Sequence, residues 1–229
     1  MKKIDLKRWA RRSHYEWFSA FADPTFSMNV RMDITALLTF CEHMRCSSFA
    51  TVMYFVCTCL DEIPAFRLRT RAGEVVELDG ANAAYTAMSN TGHFVNCRAS
   101  LAVGYEAFVC EVRANQEKLE KDNYQQKQFN DISIVNDIYC SCVPWVDFLS
   151  VTQPIPDHVT DNMSIPRVCW GKYSYEENGT FMTLNLTANH ALVDGQEMAE
   201  AFCSIQRAFS APQAFLQRID ITSEKGEQT

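Results

Sequence analysis

The chain has 229 residues, of which 47% are hydrophobic, and this length and composition suit one α/β domain with a substantial core. The formal net charge is -7 and the Lys and Arg residues are scattered, which disfavours a nucleic-acid surface. No signal-like apolar run follows the basic N-terminus, and no apolar stretch is long enough to span a bilayer. We therefore expect a single domain over 1–229, located in the cytoplasm, with neither a nucleic-acid nor a membrane partner.

The first half of the chain begins with a predicted helix over 12–22, because Tyr15, Phe18 and Ala22 recur at helical spacing before Asp23-Pro24 stops the pattern. Strict alternation of apolar and polar residues over 26–34 predicts a strand. The elements predicted next, in chain order, are helices over 35–42 and 48–60, strands over 74–78, 85–88 and 94–97, and a long helix over 101–125.

The second half contains apolar runs over 138–143 and 147–152, on either side of Pro144-Trp145. Two further runs, over 168–175 and 180–187, are joined by EENG at 176–179, which predicts a hairpin. A helix is expected over 194–209, and the residues from about 212 to 229 are expected to form a polar C-terminal tail. The absence of repeats and linkers favours a single α/β sandwich.

Ten cysteines are present, and four of them form the Cys-x-Cys pairs Cys57/Cys59 and Cys140/Cys142. Neither pair has the Cys-x-x-Cys spacing, together with a second pair, that favours a zinc site. Reduced cysteines commonly pack as small apolar residues. Buried thiols are therefore expected in preference to a metal site.

A strand pattern ends and a helix pattern begins within the segment NHALVDG at 189–195. A strand end is a rigid platform for a side chain, and a neutral imidazole there can accept a proton near neutral pH. His190 is therefore a candidate general base, and Asp194 can cap the following helix or pair with a cation. On these residues alone, an ordinary packed histidine is the alternative.

In this setting the His-x-x-x-Asp-Gly pattern of 190–195 resembles the chloramphenicol acetyltransferase family, within the wider group of CoA-dependent acyltransferases. The family usually shows two adjacent histidines here, and Asn189 stands in the first position. Further segments resemble the family in the same order between Trp9 and Phe209. They are WARRSHYEWF at 9–18, DIT at 33–35, PAFR at 64–67, YT at 85–86, SCVPWV at 141–146 and GKY at 171–173.

The resemblance implies a two-layer α/β sandwich, with a mixed sheet and helices on one face, that forms a homotrimer with active sites between subunits. It implies an acetyl-CoA-dependent O-acetyltransferase of the antibiotic-resistance type, with acetyl-CoA as co-substrate and no metal. His190 would take the proton of the acceptor hydroxyl, and Ser141 would donate a hydrogen bond to the developing oxyanion. Asp194 and Arg11 would form an ion pair that supports the site and transfers no proton.

The resemblance also assigns ligand-binding residues. Trp145, Tyr173 and Lys172 lie where the family builds its CoA channel, with Lys172 placed to meet a phosphate. No glycine-rich phosphate loop is present, which fits a cofactor lying extended in a tunnel. Packing and solvation are the ordinary alternatives for all three side chains.

The acceptor pocket is where the chain departs from the family. Phe18 and Phe26 are retained as aromatic candidates. Val151 replaces a bulky aromatic residue, Gln153 an apolar residue, and Cys169 a threonine. These changes can reduce or redirect the use of chloramphenicol, because each pocket contact alters specificity by a few kcal/mol at most. The open alternatives are transfer to another small alcohol or amine, and a non-catalytic trimeric ligand-binding protein.

Overall fold

The computed structural model describes residues 1–121, 136–155 and 163–226. The helices are α1 (Arg12–Phe18), α2 (Thr35–Met44), α3 (Ser48–Asp61), α4 (Tyr105–Glu120), α5 (Gly195–Ser210) and α6 (Pro212–Gly226). The strands are β1 (Lys2–Lys3), β2 (Thr25–Asp33), β3 (Leu68–Arg71), β4 (Glu74–Glu77), β5 (Asn82–Met88), β6 (Phe94–Ser100), β7 (Asp137–Val143), β8 (Arg167–Gly171), β9 (Ser174–Glu176) and β10 (Gly179–Asn189).

Seven strands form one mixed sheet, whose main path runs β2, β10, β8, β7, β5, β6, with β9 paired to β10. Strand β7 is parallel to both β5 and β8, whereas the other neighbours are antiparallel. A small second sheet has the order β1, β4, β3. The mixed sheet and the α/β class expected from the sequence are confirmed.

The two faces of the sheet differ in chemistry, and β10 shows this most clearly. Its even-numbered residues join the core cluster with side chains of α2, α3 and α5; they are Met182, Leu184, Leu186 and Ala188. From Thr183 onward its odd-numbered residues point to the other face, are polar, and are nevertheless buried; they are Thr183, Asn185, Thr187 and Asn189. We call the two sides the helix face and the polar face.

Helix α3 lies at the centre of the helix layer and is apolar on nearly every side. Ser47 caps it, because its hydroxyl accepts a hydrogen bond from the backbone N–H of Ala50 at 3.3 Å. Met53, Phe55 and Val56 are all fully buried. Burial of one such side chain contributes about 1.5–3 kcal/mol, so this helix anchors the layer against the sheet. The helix predicted over 48–60 is confirmed.

The prediction of a polar tail from about 212 was wrong for its first part, because α6 begins at Pro212. Phe215 is only 7% exposed and packs on Phe55 of α3, with ring centroids 4.6 Å apart. Arg218 adds a bidentate ion pair with Glu62, the residue that follows α3. A few apolar residues at helical spacing were therefore enough to dock a mostly polar segment. Residues 227–229 lie outside the described residues.

Other predicted elements also differ in extent, and the helix predicted over 12–22 ends at Phe18. The long helix over 101–125 is interrupted at Gly104, whose φ of +80° suits glycine, so α4 begins at Tyr105. Residues 122–125 lie outside the described residues. The run over 168–175 divides into β8 and β9, which leaves Lys172 and Tyr173 between strands. The hairpin at 176–179 is confirmed, since Gly179 pairs with Glu176.

All ten cysteines are free thiols. Cys57 on α3 and Cys140 on β7 are buried, and their sulfur atoms lie 3.4 Å apart. This contact, together with burial, raises the pKa of Cys57. Among the described residues, no group of three or more His, Cys, Asp or Glu side chains could hold a metal ion. None of the described helices combines the length and apolar character needed to cross a membrane.

Candidate active site

The corner between β10 and α5 is held by backbone hydrogen bonds, which fix the position of His190. The backbone N–H of His190 donates to the carbonyl of Pro24 at 2.8 Å. The side chain of Asn189 accepts from the backbone N–H of Ala191 at 2.8 Å, and so closes the turn locally. At the start of α5, the carboxylate of Glu197 accepts from the backbone N–H of Asp194 at 2.9 Å.

The imidazole of His190 lies between two aromatic rings. Phe18 of α1 stacks on it with ring centroids 4.0 Å apart, and Phe26 of β2 lies 4.4 Å away. The side chain is 32% exposed, yet its Nδ1 atom is buried and has no hydrogen-bond partner among the described residues. The exposed part of the ring therefore includes Nε2, which is the nitrogen that an incoming molecule can reach.

Arg11 and Asp194 form the ion pair that the resemblance implies. Both terminal nitrogens of Arg11 donate to the two carboxylate oxygens of Asp194, one of them at 3.0 Å. One of these nitrogens also reaches the backbone carbonyl of His190 at 3.4 Å. The hydrogen bonds from Arg11 lower the pKa of Asp194, against a smaller opposing effect of burial. The pair thus links α1 to the corner that carries His190.

Asp194 also lies near His190, with Oδ1 3.4 Å from Nδ1. This separation exceeds an ordinary N–H···O hydrogen bond, and the contact lacks hydrogen-bond geometry. Arg11 meanwhile neutralises the carboxylate. The geometry is that of a carboxylate held beside the imidazole by Arg11, the residue that precedes α1.

Ser141 lies on the polar face, in a row of residues that crosses four strands. Ser141 of β7 is opposite Cys169 of β8, which is opposite Asn185 of β10, which is opposite Asn29 of β2. Adjacent strands are about 4.8 Å apart, so Ser141 and Asn185 are separated by about 10 Å. Within the part of the chain that the structure describes, the Ser141 hydroxyl has no hydrogen-bond partner. It is therefore free to donate to a ligand.

Asn185 is fully buried at the centre of this row and uses all four hydrogen-bonding positions of its side chain. Its Nδ2 donates to Oδ1 of Asn29 at 3.0 Å and to the carbonyl of Val151 at 3.2 Å. Its Oδ1 accepts from Nε2 of Gln153 at 3.3 Å and from the hydroxyl of Thr187 at 3.3 Å. The segment containing Val151 and Gln153 is thereby fixed over the polar face.

Three residues assigned to CoA line one cavity of about 520 Å³, a size typical of small-molecule sites. Trp145, Lys172 and Tyr173 are brought together there by the turn after β7 and the break between β8 and β9. The phenol of Tyr173 is mostly buried, and burial raises its pKa to about 12, against a hydrogen bond with Ser48. Further lining residues come from α3, α4 and β5; they include Phe49, Gln116 and Met88.

The proposed base and the proposed oxyanion donor do not share one face of the sheet. His190 packs on Phe26, which belongs to the helix face and contacts the core cluster. Ser141 pairs in register with Cys169 and lies on the polar face. The two side chains therefore open toward opposite sides of one subunit.

A family model described as chloramphenicol acetyltransferase matches residues 1–206, which is most of the chain. The chain belongs to this family. A chloramphenicol acetyltransferase of Proteus mirabilis is 27% identical over 206 residues, covering 89% of this chain and 92% of the relative. Chloramphenicol acetyltransferase 2 of Escherichia coli is 22% identical and covers 89% of this chain and 94% of its own length. The chain is accordingly an acyltransferase.

Solved structures support the fold of this chloramphenicol acetyltransferase family member. A chloramphenicol acetyltransferase structure superposes with a TM-score of 0.81 at 22% identity, covering 90% of this chain and 99% of the other. A dihydrolipoamide acetyltransferase of Azotobacter vinelandii gives a TM-score of 0.65 at 12% identity, covering 89% and 88%. At these identities the likeness establishes the two-layer fold alone.

Sequence reasoning missed Asn185 and Asn29, although both lie beside residues assigned to the acceptor pocket of this family member. The signal was present in β10, where polar residues alternate with apolar ones over 182–189 and then prove to be buried. Alternation predicts two faces but does not tell which residues of distant segments lie opposite them. The neighbours of Asn185 became visible only through the register of β2, β8 and β10.

Proposed function

We propose that the chain transfers the acetyl group of acetyl-CoA to a hydroxyl of a small acceptor, with His190 as general base. The observation that carries this proposal is the placement of His190. Its ring is held between Phe18 and Phe26, its Nδ1 is buried, and its outer nitrogen is left open at the rigid β10–α5 corner. A base must be in the neutral form with an accessible lone pair, and this arrangement offers one.

In the proposed reaction, Nε2 of His190 accepts the hydroxyl proton of the acceptor while its oxygen attacks the thioester carbon. The tetrahedral intermediate then collapses, the carbon–sulfur bond breaks, and the proton on His190 passes to the departing sulfur. The products are an acetyl ester and CoA. Because Nε2 is the basic atom, the neutral imidazole carries its proton on Nδ1, toward Asp194.

Ser141 is proposed to stabilise the oxyanion of this intermediate, since its hydroxyl has no partner among the described residues. One such preorganised donor commonly accelerates the reaction by a factor of about 100–1000. Ser141 and His190 open toward opposite sides of one subunit, so a complete site needs His190 of one copy beside Ser141 of another. We therefore propose a homotrimer with its active sites between neighbouring subunits.

Asp194 and Arg11 are proposed to support the site without exchanging protons. Arg11 holds both oxygens of Asp194 and reaches the carbonyl of His190, so the pair ties α1 to the catalytic corner. Since Phe18, which stacks on His190, belongs to the helix that begins directly after Arg11, the ion pair also positions one wall of the histidine site.

The acetyl-CoA site is proposed to be the cavity lined by Trp145, Lys172 and Tyr173. Five of its lining residues are aromatic, which suits the pantetheine arm and the adenine, and Lys172 supplies a positive charge for a phosphate. Cys142, the neighbour of Ser141 in β7, also lines it. The cavity therefore reaches the strand that carries the proposed oxyanion donor, although the Ser141 side chain points to the opposite face of that strand.

Chloramphenicol is the acceptor suggested by the names of the relatives, and we propose that it is a second-choice acceptor for this chain. Val151, Gln153 and Cys169 depart from the family pattern at the acceptor pocket, and Gln153 is held in a polar network there. The same chemistry on another small alcohol or amine is the second candidate. A non-catalytic ligand-binding protein is disfavoured by the combined presence of His190, Ser141, Asp194 and Arg11.

A thiol-release assay with acetyl-CoA tests this function. A panel of chloramphenicol, simple alcohols and amines should reveal acceptor-dependent CoA release, and chloramphenicol should be acetylated less efficiently than by a related family enzyme. His190→Ala should abolish release, whereas His43→Ala, an exposed histidine on α2, should leave it unchanged. Release that survives His190→Ala would contradict the assignment of the base, and highly efficient chloramphenicol acetylation would contradict the assignment of the acceptor.

A further inference from the structure

The polar face contains a group of amides whose purpose the proposed chemistry does not explain. Asn29, Asn185 and Gln153 are linked by hydrogen bonds of 3.0 Å and 3.3 Å through the side chain of Asn185. We call these three side chains the amide floor. Asn29 and Asn185 lie in the same strand register as Cys169 and Ser141, and Gln153 belongs to the crossing segment that also carries Val151.

The three amides differ in their remaining hydrogen-bonding capacity. Asn185 has none left, because its two N–H groups and both acceptor positions are engaged. Within the part of the chain that the structure describes, Gln153 uses one N–H on Asn185, which leaves its carbonyl oxygen and one further N–H. Asn29 uses its carbonyl oxygen, which leaves its amino group without a partner among the residues that the structure describes. Both Gln153 and Asn29 are only partly buried, so the unused groups can face a ligand.

The distance between Ser141 and Asn185 decides which end of an acceptor the unused amide groups would contact. Ser141 and Asn185 are two strands apart, which corresponds to about 10 Å. An acceptor whose reacting hydroxyl lies beside Ser141 would therefore present its remote end to the amide floor. An apolar remote end would cover the unused amide groups without bonding them, and buried polar groups left unpaired are costly.

We propose that the amide floor selects small alcohols that carry a hydrogen-bonding group at the end remote from the reacting hydroxyl, with Gln153 as the contacting residue and Asn185 as the positioning residue. This inference rests on the proposed function, since it concerns the acceptor of the same site. Asn185 acts through Gln153 and Val151, whose places over the sheet it fixes. Gln153 supplies both a donor and an acceptor to the ligand.

The test uses two probes that differ by one hydroxyl: phenylethanol and its para-hydroxy derivative. Their dissociation constants are measured by titration calorimetry on the full chain, without acetyl-CoA. The wild-type protein should bind the hydroxylated probe about five- to tenfold more tightly, as one additional neutral hydrogen bond commonly provides. Gln153→Leu should remove or reverse this preference, and Thr152→Val, an exposed neighbour, should retain it. A circular-dichroism melt of each variant verifies folding.

Equal binding of the two probes to the wild type, an unchanged ratio in Gln153→Leu, or no binding of either probe would each overturn the proposal. Absence of binding is also expected if a second copy of the chain covers Gln153, and in that case too the amide floor would not contact the acceptor. CoA release is measured in parallel on the wild type. Its absence with every acceptor would refute the acetyl transfer, while the ratio of the dissociation constants would still decide the role of the amide floor.

Discussion

The histidine corner and the polar face carry different parts of the proposed function and are built in different ways. The corner is local: His190 and Asp194 are four residues apart, and the turn between them is closed by Asn189. The polar face is assembled from four strands and a crossing segment, and Asn185 alone contacts four other residues on it. We infer that the reaction type is encoded in a short motif, and the choice of acceptor in long-range register.

The largest effect is expected at the corner itself. His190→Ala should lower kcat by about a thousandfold or more, because general bases commonly contribute factors of about 100–10,000. The melting temperature should change little, since the side chain is 32% exposed and is held mainly by ring contacts. Steady-state CoA release and thermal unfolding measure both quantities. If His190→Ala proved inactive because it was unfolded, the loss would reflect stability, and the assignment of His190 as general base would lose its support.

The next effect is expected on the polar face. Ser141→Ala should lower kcat by a factor of about 100–1000, with little change in the KM for acetyl-CoA, because the hydrogen bond forms to the oxyanion and not to the ground state. Ser150→Ala, outside the strands, serves as the matched serine control. An equal loss in kcat and gain in KM would indicate that Ser141 binds substrate instead.

A smaller effect is expected for the ion pair that supports the corner. Asp194→Asn keeps a helix-capping side chain but leaves Arg11 without its charge partner, and should cost about 1–2 kcal/mol of stability because the pair is partly exposed. Activity should also fall, since α1 carries Phe18. Arg11→Ala should give a similar double loss.

The double variant completes this cycle. Residues in direct contact should show combined losses clearly below the sum of the single ones, in both unfolding free energy and turnover. If the losses of the two single variants simply added, the contact between Arg11 and Asp194 would not be their source. If Asp194→Asn were as stable as the parent, the ion pair would have no structural role.

The smallest predicted effect is a pH dependence. Arg11 lowers the pKa of Asp194 in the folded state, so the pair stabilises the fold above the unfolded pKa, about 4, and this contribution disappears as the pH falls through the folded value. The stability difference between the wild type and Asp194→Asn should therefore be constant from about pH 5 to 8 and vanish in more acidic solution. Denaturant unfolding at several pH values measures it. If the stability difference between the two proteins grew on acidification, the pKa of Asp194 would be shifted in the opposite direction, and the stabilising role of the ion pair would be contradicted.

The same contrast explains what the sequence could predict. The strand, turn and helix around His190 follow from local periodicity, and the collinear segments identified the family. The contacts of Asn185 could not be predicted, because they depend on which residues of β2, β8 and the 151–153 segment lie opposite one strand. The helix α6 was missed for a related reason: its stability comes from Phe215 packing on α3, not from its own mostly polar sequence.

The central claim is that His190 of one subunit acts beside Ser141 of its neighbour, and mixing two inactive variants tests it most directly. His190→Ala and Ser141→Ala proteins are unfolded together in equal amounts and refolded, with each variant refolded alone as control. Random assembly of a closed ring places an intact His190 against an intact Ser141 at about one quarter of the interfaces, so about a quarter of the wild-type activity should return. If the mixture is no more active than the two separate variants, the site does not cross a subunit boundary and the account is wrong.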